Sequence, residues 1–373
     1  MKVMVIVGTR PEIIRLSRTI EVLREALDCV LVHTGQNYSY ELNDIFFEDL
    51  SIAPPDLYLG AAGGSLAETL GAIIVKTDEA MAREKPDAVL VLGDTNSALS
   101  VIPAKRRKIP VFHYEAGNRC FDQRVPEEIN RKIVDHTSDI NLCYSGIAKQ
   151  NLLREGFPMD RVFNVGSPMF EILAHYGDRI ASSDALQRLG LRRGEYFVLS
   201  SHREENVDDA GRLGMLFGAV RALLARYPYP VVFSVHPRTE KRLAEHGVAA
   251  DERIIRMKPL GFTDYVALQE GAFCTLSDSG TITEESAILG FPAVNIRETH
   301  ERLEGMEEAA VVMTGFSPER VLDGVEAARR QLEPTRAGTI RVEDYMRPNV
   351  SEKVLRIILS YTDYVNRTVW KKQ

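Results

Sequence analysis

The chain has 373 residues, 45% of them hydrophobic and 27% charged, with a formal net charge of −7 at pH 7 and a pI near 5.7. That is the balance of a soluble globular protein, and the length suits two domains of roughly 150 residues each. The acidic balance argues against general nucleic-acid binding and adhesion to anionic membranes, but leaves room for an anionic ligand held by a local group of arginines.

The first twelve residues, MKVMVIVGTRPE, run from a short apolar stretch straight into a turn. They read as a first strand (2–7), not a signal peptide. A helix follows over 11–26, with Ile13, Ile14, Ile20, Leu23 and Leu27 on one side. Strands are then predicted at 29–33, 88–92, 110–113, 139–144 and 162–166, and helices at 65–84, 96–107, 127–136 and 146–155. Continuous apolar strands separated by helices make a parallel sheet covered on both faces. A charged, weakly apolar connection at 172–195 marks a boundary, and the pattern restarts. Strands at 196–201, 230–235, 253–257, 273–277, 293–296 and 310–313 alternate with helices at 210–226, 262–270, 282–289 and 318–331. A last helix, 351–365, follows an irregular polar stretch.

The expected class is therefore α/β, with two Rossmann-like doubly wound domains over 1–171 and 172–350 and the segment 351–373 packing back on the first. Two such domains facing each other would place their strand ends around a central cleft. No apolar run approaches the ~20 residues a membrane span needs. A cytoplasmic protein with no membrane or nucleic-acid partner is the expectation. Cys29, Cys143 and Cys274 lie in apolar runs and read as reduced core residues, while Cys120 sits in a polar loop. No CxxC pair is present.

The densest chemistry lies in 112–132, FHYEAGNRCFDQRVPEEINRK. Glu115, Asp122, Glu127 and Glu128 stand there with Arg119, Arg124 and Arg131, between a strand end and a helix opened by Pro126. Such loops are where α/β enzymes keep their reactive groups, although surface ion pairs would look the same. GTRPE (8–12) follows the first strand and opens a helix, whose free N–H groups and Arg10 suit an anion. It is not the G-x-G-x-x-G dinucleotide fingerprint. GDTNS (93–97) puts Asp94 at another strand end, as a base or as a helix cap. SSHREEN (200–206) and SVHPRT (234–239) place His202 and His236 at successive strand ends, suited to anion or sugar binding and acid–base work. No metal-ligand spacing accompanies them. SDSGTITEES (277–286) sets Ser279, Gly280 and Thr281 at a helix start, with Glu284 and Glu285 one turn on. A phosphate cradle beside a carboxylate that could accept from a ribose diol reads as a nucleotide site, and a capping box is the alternative. Arg302, after the strand at 293–296, is a candidate second phosphate contact.

Taken together and in this order, GTRPE, GDTNS, HYEAGNR, VPEEINR, SSHREEN, SVHPRT and SDSGTITEE…ERLEG resemble the non-hydrolysing UDP-N-acetylglucosamine 2-epimerase family. The resemblance implies a glycosyltransferase-B type fold and epimerisation at C2 of a UDP-N-acetylamino sugar through a glycal, with no cofactor and no metal. It makes Asp94, Glu115, Glu127 and His202 the catalytic positions. It makes Arg10, Arg15, His236, Leu260, Tyr265, Ser279, Gly280, Thr281, Glu285 and Arg302 the UDP-sugar-binding positions. It also implies a homodimer. FDQRVPEEINRKIVDH is similar to the branch that forms UDP-N-acetyl-L-fucosamine for surface polysaccharides, rather than to the branch acting on UDP-N-acetylglucosamine. A glycosyltransferase or a UDP-sugar-binding regulator of the same fold is the alternative reading. Leu303 stands where the family's motif usually has proline.

Overall fold

The computed structural model describes residues 1–35, 44–201, 209–235, 251–333, 338 and 340–372. The chain divides into two compact units, one formed by Met1–His175 with Asp344–Gln373, the other by Tyr176–Glu343.

In the first unit seven strands pair in parallel: β1 (Lys2–Val7), β2 (Asp28–His33), β3 (Leu57–Tyr58), β4 (Ala88–Leu92), β5 (Val111–Tyr114), β6 (Ile140–Cys143) and β7 (Val162–Asn164). Their order is β3-β2-β1-β4-β5-β6-β7. The chain winds outward from β1 to β3, then returns to the other side of β1 at β4, with Val3 opposite Ala88 and Ile6 opposite Val91. The loops leaving β1 and β4 therefore diverge, and ligands of doubly wound sheets bind at that switch point. Met4, Ile6, Val30, Val32, Val89 and Val91 pack under Ala80, Met81, Leu99 and Val134. The alternate residues Val3, Val5, Leu31 and Leu90 are equally buried, so both faces are covered.

The helices of this unit are α1 (Arg10–Ala26), α2 (Asp44–Asp49), α3 (Leu66–Glu84), α4 (Val101–Arg106), α5 (Pro126–Thr137), α6 (Gly146–Arg154) and α7 (Met169–His175). The helix expected over 96–107 is instead a 3-10 turn, Asn96–Ser100, followed by α4. Pro103 explains the break. In a continuous helix its missing N–H and its ring would disrupt the turn before it, whereas in the first turn of α4 no N–H is needed. The two-residue β3 is an edge strand too short to show a period. The closing helix, Val350–Thr368, buries Val350, Val354, Leu355, Ile358 and Val365 and packs on α1. Ser351 N–H donates to Glu171 at 2.9 Å, and Lys353 Nζ donates to the Val165 carbonyl at 3.0 Å.

In the second unit β8 (Phe197–Ser200), β9 (Val231–Ser234), β10 (Ile254–Met257), β11 (Cys274–Ser277), β12 (Ala293–Asn295) and β13 (Val312–Met313) form a parallel sheet in the order β10-β9-β8-β11-β12-β13. The same winding puts its switch point between β8 and β11. Phe197, Leu199, Phe217, Leu223, Phe233, Leu276 and Val325 fill one side of the sheet. The charged connection at 172–195 carries helical structure of its own. It forms the short helices Gly177–Ala181 and Ala185–Arg188, which bury Ile180 and Ala185, and the preceding Tyr176 is buried too. No described helix is long and apolar enough to cross a membrane.

Candidate active site

At the switch point of the first unit, the loops after β1, β4 and β5 bring opposite charges together. Glu115, just beyond β5, is buried with a backbone φ of 69°. A left-handed conformation in a residue with a Cβ costs about 1–2 kcal/mol, and such outliers persist where the surroundings enforce them. Here Glu115 Oε2 pairs with Arg15 Nη1, and Asn118 Nδ2 donates to Oε1 at 3.3 Å. The same carboxylate lies against Gly93: a Cβ there would be 3.5 Å from Glu115 Oε2. Gly93 itself has a φ of 68°, a region that favours glycine, and it delivers Asp94 to the loop.

Asp94 is half-buried. Its Oδ2 accepts from Arg131 Nε at 2.7 Å, and its carbonyl accepts from Asn130 Nδ2 at 2.9 Å. Arg131 Nη1 in turn donates to buried Glu128 at 2.8 Å. Arg131 and Glu128 lie one turn apart on α5, so this helix carries the grip on the β4 loop. Glu127 is half-buried in the first turn of α5. Cys120 Sγ lies 3.4 Å from Glu128 Oε2, and burial pushes its thiol up, the opposite of what a thiolate nucleophile needs.

Behind the Glu115 loop, Asp135 is fully buried and accepts from Gly117 N–H at 3.2 Å and Arg119 Nη1 at 2.7 Å. His113 Nδ1 lies 2.9 Å from Asp135 Oδ1. Burial alone would raise the Asp135 carboxyl; its interactions with His113 and Arg119 outweigh burial and leave it below the ordinary range. Arg119 also makes a two-pronged pair with Glu155, at 2.9 and 2.8 Å.

Arg10, the first residue of α1, is half-buried with its guanidinium 5.6 Å from the centre of the Phe46 ring. Arg15, one turn further on, is buried over Tyr144. Glu12 lies between them on the helix and belongs to no sequence-based site assignment. It is almost wholly buried and accepts from Gly8 N–H at 3.0 Å, Thr9 Oγ1 at 2.8 Å and Thr95 Oγ1 at 3.0 Å. Burial pushes its carboxyl up to about 7 despite those donors. The signal for it was present: Thr9 and Glu12 have the T-x-x-E spacing of a capping box.

In the second unit, β11 runs into the helix Thr281–Leu289 through Ser279 and Gly280. Ser279 Oγ and Thr281 Oγ1 lie 2.9 Å apart, and Ser279 N–H donates to Ser277 Oγ at 3.0 Å. The two glutamates one turn on are buried and held differently. Glu284 accepts from Arg302 Nε at 3.1 Å, and Glu285 accepts from Gln269 Nε2 at 2.8 Å. Arg302 thus neutralises a carboxylate beside the helix start, which allows an anion to approach it. Arg297 holds Glu301 at 2.8 Å, and a Cβ on Gly280 would be 3.3 Å from Glu301 Oε1. Leu260, just before the helix Phe262–Gly271, and Tyr265, in its first turn, pack on the buried cluster that includes Tyr196, Val198, Val232 and Leu268. His202 and His236 lie outside the described residues.

Two parallel-sheet α/β units with these loops at their switch points define a nucleotide-sugar fold of the glycosyltransferase-B type. The chain is similar over its whole length to a UDP-N-acetylglucosamine 2-epimerase from Rickettsia bellii, at 49% identity, 100% coverage of both chains and a TM-score of 0.92. The enzyme from Methanocaldococcus jannaschii, solved in complex with UDP-GlcNAc and UDP, has 33% identity and a TM-score of 0.89, covering 96% of this chain and 100% of its own. A UDP-2,3-diacetamido-2,3-dideoxy-D-glucuronate 2-epimerase from Pseudomonas aeruginosa is 34% identical over 90% of this chain and 93% of its own. The UDP-N-acetylglucosamine 2-epimerase family model matches residues 21–359. The chain belongs to this family, and it is an isomerase, a UDP-sugar 2-epimerase of the non-hydrolysing kind.

Proposed function

We propose that the chain inverts C2 of a UDP-N-acetylamino sugar by eliminating UDP and adding it back. The observation that carries this reading is the pair of arginine-held carboxylates, Glu115 with Arg15 and Asp94 with Arg131, on adjoining loops at one switch point. C1 of the sugar is an acetal, so the C2 proton is not acidic by itself. A carboxylate takes that proton as the C1–O bond breaks, and the electron pair of the C1–O bond leaves with UDP. The C1=C2 glycal remains. Protonation of C2 from the opposite face and return of the UDP oxygen to C1 give the epimer. Two carboxylic groups on opposite faces supply base and acid. Glu115 and Asp94 act nearest C2, and Glu127 and His202 assist proton transfer. Ser279, Gly280, Thr281, Arg302, Arg10, Arg15 and His236 hold the UDP-sugar's phosphates, with Glu285 on the ribose and Leu260 and Tyr265 at the uracil. Donors at helix starts and fixed cations stabilise the leaving diphosphate.

For the sugar we propose UDP-2-acetamido-2,6-dideoxy-L-talose, giving UDP-N-acetyl-L-fucosamine, on the strength of FDQRVPEEINRKIVDH. A second reading, UDP-N-acetylglucosamine giving UDP-N-acetylmannosamine, is favoured by the names of the relatives from M. jannaschii and R. bellii. The P. aeruginosa relative's name shows that sequences this similar act on other N-acetylated sugars. A cytoplasmic homodimer completes the reading. Glu115→Gln and Asp94→Asn should each abolish epimerisation with UDP affinity largely kept. Full activity in either variant would overturn the assignment. Supplying each nucleotide sugar separately and resolving the products decides the substrate.

A further inference from the structure

We propose that Glu12 is a positioning residue of the epimerisation site, a buried strut that locks the loop leaving β1 to the loop leaving β4. This rests on the function proposed above. A helix cap alone would explain the bonds from Gly8 N–H and Thr9 Oγ1, since both lie at the start of α1. It does not explain Thr95, which is 83 residues away and donates to the other carboxylate oxygen. That bond spans the switch point. On one side it fixes the helix start bearing Arg10 and Arg15. On the other it fixes the residue next to Asp94, itself held from α5 by Arg131. The two oxygens of one carboxylate thus set the spacing between the Arg15–Glu115 pair and the Asp94 loop.

The arrangement is also unusual electrostatically. Charged groups on the elements around it include Arg10, Arg15 and Arg18 on α1, Asp94 after β4, Glu115 after β5, and Glu127, Glu128 and Arg131 on α5. Among the described residues no Lys, Arg or His pairs with Glu12; two hydroxyls and one N–H are its partners. Ionised, the carboxylate accepts from all three. Protonated on the oxygen facing Thr95, it donates to the Thr95 hydroxyl instead, and a neutral bond replaces the stronger charge-assisted one that tied the β4 loop. Burial places this change near pH 7, so the strut is formed on the alkaline side of neutrality and weakened on the acid side.

The test compares wild type, Glu12→Gln, Thr95→Val and the double variant by pH profiles of C2–H exchange, with UDP affinity and circular dichroism alongside. A sub-ångström to ångström misplacement of reacting groups lowers rate by up to roughly 100-fold. Glu12→Gln should lose about 10- to 100-fold in kcat with UDP affinity changed less than about threefold. Wild type should show an inflection near pH 7 that Glu12→Gln lacks. Thr95→Val should lose less, and the double variant should be no worse than Glu12→Gln, because Thr95 acts on the site through its bond to Glu12. Wild-type profiles in Glu12→Gln, or multiplicative losses in the double variant, would overturn the proposal. If Glu12→Gln does not fold, Thr95→Val carries the test through its own loss of the inflection, and an unchanged profile overturns it. A wild type that binds UDP but exchanges no C2 proton on any UDP-N-acetyl sugar removes the proposed function itself, a result distinct from an active wild type with an indifferent Glu12.

Discussion

Arg131 grips Asp94 from the neighbouring helix α5: its Nε donates to the Asp94 carboxylate at 2.7 Å while its Nη1 holds Glu128 at 2.8 Å. A planar guanidinium can serve two carboxylates at fixed angles, and an ammonium cannot. Arg131→Lys should therefore keep the fold yet lose about 10- to 100-fold in kcat, because Asp94 is no longer aimed. Arg131→Met leaves buried Glu128 without its cation and should destabilise the protein by about 3–5 kcal/mol, measured by urea unfolding. Equal activity in Arg131→Lys would mean that Asp94 is oriented by something other than this pair.

The Glu12 carboxyl gives stability a pH dependence whose sign is opposite to that of an ordinary carboxylate. Its folded value, about 7, lies above the ordinary 4.5. A group raised in this way contributes stability that is fully present below about 4.5 and is lost as pH rises through about 7. The span corresponds to a contribution on the order of 3 kcal/mol. Glu12→Gln, which has no charge to bury, should gain stability relative to wild type between pH 5 and pH 8. The difference in urea midpoint between the two proteins across that range checks it.

Gly117 shows how tightly the loop of Glu115 is built in. Its φ is 81°, and a Cβ there would sit 2.3 Å from the Ala148 carbonyl oxygen on α6. Neither the backbone conformation nor the backbone atom it meets can yield easily. Gly117→Ala should destabilise by about 2–4 kcal/mol and lower kcat in the same variant, since Gly117 N–H also anchors the loop on Asp135. Calorimetry and a rate assay on one preparation test both halves.

Much of the fold was legible because parallel strands buried on both faces read as continuous apolar runs, as in KVMVIV and AVLVL. What a period cannot show is where a single residue redirects the chain. Pro103 splits the expected helix at 96–107, and β3, with two residues, has no period at all. The strand-end motifs were legible, and of their residues Glu115 pairs with Arg15 while Asp94 lies on the adjoining β4 loop, paired with Arg131. Their partners were not legible. Arg131 and Glu128 were visible as charges in the stretch 112–132, and whether they face solvent or the β4 loop depends on tertiary packing. Glu12 has capping-box spacing to Thr9, and only the fold brings Thr95 to it. The left-handed backbone at Glu115 has no sequence signature, since glutamate rarely adopts it.

The central claim is that this chain breaks and remakes the C2–H bond of a UDP-N-acetylamino sugar without an acceptor. Proton NMR of the purified protein with UDP-N-acetylglucosamine, and separately with UDP-2-acetamido-2,6-dideoxy-L-talose, in D2O tests it most directly. The account predicts loss of the C2 proton signal and appearance of the C2 epimer, fastest with the L-talo sugar, and neither change in Glu115→Gln. A C2 proton retained in both nucleotide sugars under conditions where UDP binds would contradict it.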